Sequence, residues 1–392
     1  SGDITGEALF AETELAPLFT LTGRTSLSGR LTGRVDVRGN AKALQDMDVV
    51  AEISSMDILH DGGVMVSARN AAGFYRDGTL TIPPTRLAFG RSGWFDIQGQ
   101  GDVRRALTLS TDGVIPMEVM GLFMEDLADS TGVMRVSSQI RARELKPEIS
   151  ALITLEDIAC TLPVNGQRLH SLNGTVRIRG DEVSMEGITG RLDTGAFRMG
   201  GSARLNGFGL HSLELLAEAK ALPVSIPDTM ELTMDAELSL DMGKKRSRLW
   251  ADVDILDGVY YRDMQVNLLT GVIDRLLPSR QLFRKKTAER PELSPALQAL
   301  ELDVTVKRRG DVKVENNIAV LDLNPDLKIT GTLQNPVVNG RVAVTDGVVT
   351  FQNNDFTVTR GVIDFLDPHR TKAEVDIRAT TRVRNWDIAL NL

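Results

Sequence analysis

Cysteine, histidine, aromatic residues and long apolar runs are all scarce in this chain, and each scarcity closes off a class of protein. A single cysteine, Cys160, among 392 residues excludes an internal disulfide framework and the multi-cysteine ligand sets of structural zinc sites. The four histidines, His60, His170, His211 and His369, stand in no HxxxH or HExxH spacing, so solvent-facing or turn positions are expected for them. No run of about 18 apolar residues occurs, and Ser1-Gly-Asp-Ile-Thr-Gly lacks the basic and apolar regions of a signal peptide. A soluble piece of something longer is expected. Aromatic residues make up 5%, fewer than the large rings that packed sandwich cores usually rely on. Lysine and arginine number 45 against 53 aspartates and glutamates, a formal charge of −8. The two signs are interleaved, which argues against a nucleic-acid partner.

What the chain has in abundance is alternation. Four stretches follow one template, apolar-x-Gly-x-apolar-x-apolar: Leu31 to Val37, Leu172 to Ile178, Met199 to Leu205 and Val338 to Val344. A period of two places every second side chain on the same face of a strand. Leu27, Gly29, Leu31, Gly33, Val35 and Val37 share one parity, while Ser28, Arg30, Thr32, Arg34, Asp36 and Arg38 hold the other. The fold class expected is all-β, an elongated and mostly antiparallel sheet with an apolar and a charged face. The copies begin at residues 31, 172, 199 and 338, which is no fixed period, so identical solenoid rungs are disfavoured. Residues 1–272 read as one β region, with a short helix near 116–129 where Pro116 precedes Met117, Met120, Leu122, Phe123, Met124 and Leu127. Residues 273–300, rich in proline and basic side chains, read as a loop or helical excursion, and 301–392 as a second β domain.

Catalytic signals are weak, and no enzyme, cofactor or metal site is expected. Gly99-Gln-Gly101 is followed by Asp-Val-Arg104 rather than by a helix-opening glycine, so it reads as a strand kink. Asp252 and Asp254 share a strand face; the wet face of a sheet is the reading preferred over a glycosidase pair. The basic run from Arg280 to Arg290 reads as a solvated loop rather than a lipid-headgroup contact. Trp94 and Trp386 continue strand alternation and are expected in a core or groove.

The C-terminal ninety residues carry a resemblance. Asp326 to Val342, then Asp346-Gly347-Val-Val-Thr-Phe351, then Asp355 to Phe365 are similar to the C-terminal conserved domain of the TamB family, within the AsmA-like superfamily. Leu172-Asn-Gly174-Thr-Val176, Ala196 to Ala203 and Val253 to Tyr260 resemble the recurrent AsmA-like pattern. The resemblance implies a sheet folded into an open, taco-like trough with an apolar interior. It implies a periplasmic protein of a Gram-negative bacterium, anchored in the inner membrane by an N-terminal helix absent from this fragment. It also implies phospholipid as cargo and a TamA-like outer-membrane barrel as partner, met through the C-terminal end. A monomer is expected.

If the alternating runs line such a trough, the inward residues are Val35, Val37, Val176, Ile178, Ala203, Leu205, Val342, Val344, Phe356, Val358, Ile363 and Phe365. Parity does not distinguish this wall from a closed sandwich core. Glycines on the apolar parity, Gly174, Gly201 and Gly340, suit strong curvature. Three functional readings follow: a lipid-transfer conduit, an assembly scaffold whose sheet edges pair with client or barrel strands, and a polysaccharide-active enzyme resting on Asp252 and Asp254 alone.

Overall fold

The computed structural model describes residues 3–391 except 22, 41–46, 103–104, 123–128, 144–145, 164, 208, 244–245, 264–294, 353, 368–372 and 384–385. In chain order the elements are β1 (Asp3–Glu14), helix α1 (Ala16–Leu21), β2 (Leu27–Asn40), β3 (Asp48–His60), β4 (Gly63–Arg76), β5 (Thr79–Phe89), β6 (Gly93–Asp102) and β7 (Ala106–Pro116). A 3₁₀ turn (Met117–Leu122) leads to β8 (Thr131–Arg143), β9 (Lys146–Thr161), β10 (Arg168–Arg179), β11 (Glu182–Leu192), β12 (Gly195–Asn206), β13 (Gly209–Ile226), β14 (Met230–Met242) and β15 (Ser247–Tyr260). After helix α2 (Pro295–Gln298) come β16 (Glu301–Glu315), β17 (Ala319–Gly331), β18 (Pro336–Phe351), β19 (Asn354–Phe365), β20 (Ala373–Val383) and β21 (Trp386–Asn391). The protein is all-β and its sheet is open, not closed into a barrel. Helix α1 comes in addition to the helices expected; Pro17 in its first turn is pre-set for a helical φ.

The chain divides into two compact units, Ser1–Arg191 with Ser202–Leu210, and Leu192–Gly201 with His211–Leu392. In the first, β1 to β10 form an antiparallel meander, each strand bonded to the next. In the second, β13 to β21 do the same, except that β15 and β16 run parallel. A parallel step needs a connection that returns to the starting end of the strand. The chain between β15 and β16 makes that return; the excursion expected at 273–300 falls for the most part on residues 264–294, which lie outside the described residues. Arg280 to Arg290 lie outside the described residues. The 3₁₀ turn stands at the start of the 116–129 segment, of which 123–128 also lie outside them.

Most strands are interrupted by a β-bulge. Register shifts fall at Phe10/Thr13, Thr32/Gly33, Ile82/Thr85, Ala219/Leu222, Lys307/Lys313 and Val358/Arg360, among others. Asp157, Ser171 and Ala221 take left-handed φ values between 47° and 52° at such places. Each bulge bends its strand and sharpens the local twist. A single inserted residue also shifts the side-chain parity by one, so the apolar set is even on one side of such a bulge and odd on the other; at Lys307/Lys313 two residues are inserted and the parity is kept.

Candidate functional site

Directly opposed residues of a ladder share a face, so the register traces each face across strands. In the first unit one row runs Leu31, Met56, Ala68, Leu87, Phe95, Gly113, Val136, Ile153 and Val176, from β2 to β10. In the second unit a row runs Ala219, Ala236, Val253, Val306, Leu327, Gly340, Phe365 and Ala373, from β13 to β20. Neither row contains a charge. Both are the apolar faces that the alternation foretells.

These faces are only partly covered. The first unit's face is capped at one strand end, where Val119 and Leu122 of the 3₁₀ turn and Phe19 of α1 pack on Leu27, Ile58, Val66 and Phe89. Away from the cap, Leu31, Leu87, Phe95, Val136, Ile153 and Val176 all stay half-buried. In the second unit the buried groups are small and lateral: Val342, Phe365 and Ala373 with Leu327 and Ile363, and Leu321, Val344 and Val349 with Val358. Their members come from neighbouring strands of one sheet. A sandwich core draws its contacts from a second sheet facing the first, and neither cluster contains such a layer.

The twelve residues singled out from sequence fall as follows. Val35 and Val37 lie on the apolar parity of β2, which keeps a single phase from Leu27 to Val37. Val176 and Ile178 lie on the apolar face of β10, opposite Ile153 and Ala151. All four are half-buried, as are Ala203 and Leu205 on β12. The other six gather within β18 and β19: Val342 opposes Ile363, Val344 opposes Gly361, Phe356 opposes Val349, and Phe365 opposes Gly340. Val342, Val344, Phe356 and Phe365 are buried, while Val358 and Ile363 are partly open. Phe356 and Val358 are even and Ile363 and Phe365 odd, yet all four share the apolar face, because a bulge separates the halves of β19. Sequence reading left out equally apolar positions. The run Met230, Leu232, Met234, Ala236, Leu238, Leu240 and Met242 alternates without a break along β14, and that regularity is a sufficient signal.

The opposite faces are lined by cross-strand ion pairs. Arg34 bonds Glu52 at 2.9 Å, Arg86 grips both oxygens of Asp96 at 2.6 Å, and Arg341 grips Asp364 at 2.6 and 3.0 Å. Arg246 bonds Glu301 at 2.8 Å, Arg177 bonds Glu186 at 3.0 Å, and Arg198 pairs with Glu218. Hydrogen bonding by the facing guanidinium holds the carboxyls of Asp96, Glu301 and Asp364 below the ordinary carboxylate range. Asp254 is engaged by Arg309 at 2.8 Å, and Asp252 stands opposite Glu237. That is the wet sheet face expected, with an arginine seated on one carboxylate of the supposed pair. The tryptophans correct the sequence reading. Trp94 lies on the polar face with the Arg86 guanidinium 4.7 Å above its ring, and Trp386 is 76% exposed. Near strand ends, alternation continues where nothing covers the side chain. Among the described residues no group of His, Cys, Asp and Glu is arranged to hold a metal ion. No helix among them is long and apolar enough to cross a membrane.

This geometry defines a class: one-sided β-sheet proteins, apolar on one face and ion-paired on the other. A family model described as the TamB C-terminal domain matches residues 186–391, more than half of the sequence, and the chain belongs to the TamB family. Neither a curated protein nor a solved structure matches it. Membership makes it a TamB-type protein of the Gram-negative cell envelope.

Proposed function

We propose that the apolar faces line a groove that carries phospholipid through the periplasm between the inner and outer membranes. The observation that supports this most is the half-open apolar ladder, charge-free across nine strands in one unit and eight in the other, with no facing sheet in the buried clusters of either unit among the described residues. Exposing a two-chain lipid of ~30 methylenes to water costs on the order of 20 kcal/mol at ~0.8 kcal/mol per CH₂. A wall that offers the tails near-equal apolar sites removes that cost and keeps the barrier between neighbouring positions small. The twelve residues named from sequence are proposed as part of this wall, and no catalytic step is involved.

The test is native mass spectrometry of the chain purified from a bacterial host. Phospholipid should co-purify, and should be lost in Ile363→Asp and Val176→Asp variants that keep their thermal transition. Both side chains are partly open; Val176 belongs to no buried cluster, and Ile363 lies at the edge of the Val342, Phe365 and Ala373 cluster, so the thermal transition is the check on that variant. Val344→Asp is the poorer choice, because Val344 is 9% exposed and tightly apposed to Gly361. A lipid-free wild-type chain, or folded variants with undiminished lipid, would overturn the reading.

A second reading, an assembly scaffold with a TamA-type barrel as partner, draws on β21. This strand is bonded to β20, and its Trp386 and Ile388 are 76% and 43% exposed. An exposed apolar strand suits pairing with a partner's strand. Ile388→Pro should then abolish barrel binding and leave lipid content untouched.

A further inference from the structure

Among the described residues, the ion pairing of the polar face is interrupted on β6 to β10 in the first unit. There a concavity of about 1260 Å³ opens on the polar face. Across its floor runs a single row, Gln98, Ser110, Gln139, Ser150 and Arg179, each directly opposed to the next. Their side chains make no hydrogen bond or ion pair within the described residues, whereas the flanking row holds Arg86 with Asp96 at one end and Arg177 with Glu186 at the other, with Asp112, Ser137 and Leu152 between them. We propose that this row binds a neutral, extended oligosaccharide, on the face opposite the apolar ladder and independently of any lipid.

Three features favour that class of ligand. Amide and hydroxyl groups both donate and accept, as sugar hydroxyls do, so a comb of them pairs with a polyol in either sense. Asp112, Glu148 and Asp181, acids unpaired among the described residues, accept from hydroxyls in charge-assisted bonds, and they outnumber the one unpaired cation of the row, Arg179, so the net local charge disfavours phosphate and other anions. The teeth stand ~4.8 Å apart, one per strand, so the five together span roughly 20 Å in a straight line. A straight β-1,4-linked chain of a few rings presents hydroxyls along a comparable length. An apolar small molecule is a poor match, because such ligands take pockets lined mainly by apolar and aromatic side chains.

Saturation-transfer NMR of the full chain with cellotetraose and with chitotetraose tests this. At least one of them should receive saturation. The Gln98→Leu/Gln139→Leu variant should weaken that binding at least about tenfold, while Arg204→Gln, on a polar pair elsewhere, should not change it. Gln98 and Gln139 are exposed, so folding is not at stake, and an unchanged thermal transition verifies it. Absence of transfer to both sugars overturns the proposal, as does undiminished transfer in the double variant. Salt-sensitive binding of a lysine-rich peptide at this row, with no sugar binding, overturns it in favour of a basic partner. Ile363→Asp should leave sugar binding intact, so failure here and failure of the lipid reading are told apart.

Discussion

Gly340 sits at φ 119°, and a Cβ there would overlap the Asp326 carbonyl oxygen of the neighbouring strand. Backbone in this region, and backbone that lies so close, exclude any side chain. Gly340→Ala should lower stability by ~1–3 kcal/mol, read as a shift of the urea midpoint. Gly73 is the control, since a Cβ there meets nothing within 4 Å. Gly73→Ala should be neutral or stabilising by up to ~1 kcal/mol. Two glycines on apolar-rich strands thus differ in kind, a difference that sequence parity does not carry. Parity was nonetheless enough to assign Val35, Val37, Val176 and Val342 to the apolar side, because a strand offers a side chain no third direction. The covering of each residue was not legible. Val342 is buried and Val176 only half-buried because the first has Phe365 and Ala373 beside it, partners set by pairing across more than twenty residues of chain.

At the scale of the element, the junction of β16 and β17 carries the longest gap in the second unit's ladder. Pairing stops at Lys307 with Asp326 and resumes at Lys313 with Asp322. Arg308 reaches into the gap, donating to the Leu323 carbonyl at 2.7 Å with Asp311 at 3.7 Å. An arginine on the parity of Val304 and Val306 therefore serves the backbone rather than the apolar face. Arg308→Met keeps the length of the stem and removes the donor. It should cost ~1–3 kcal/mol, with amide exchange hastened locally around Leu323. The bulges explain what sequence reading could see and what it could not. Strand existence was plain from alternation, since a half-buried strand repeats every two residues. The bulges were not, because a phase shift such as that between Val358 and Gly361 looks like a lapse in the pattern. The parallel step from β15 to β16 was equally hidden, as chain direction leaves no mark on side-chain order.

Taken as a whole, the molecule holds its polar faces together by exposed arginine–carboxylate pairs in both units. The depressed carboxyls of Asp96, Glu301 and Asp364 contribute stability that is complete above the ordinary carboxylate range and is lost as pH falls through their lower folded values. The melting temperature should therefore hold from pH 7 to about 5 and fall below about 4. Asp364→Asn should lie slightly below wild type at neutral pH, and the two curves should converge as the wild-type carboxyl takes up its proton. The effect is small for each pair, because solvent screens it. The bulges have one more consequence, for how chains of this kind can change length. Thr359 is the unmatched residue in β19 between Val358, opposite Ala379, and Arg360, opposite Arg378. Deleting Thr359 would leave Phe356, Val358, Gly361, Ile363 and Phe365 in unbroken alternation, so every one of them would still point the same way and the strand would merely straighten. Deleting a residue in a regular stretch, Ala343 for instance, would turn half the strand inside out. Single-residue gains and losses are therefore confined to the bulges, where they alter how sharply the sheet bends and leave its two faces intact.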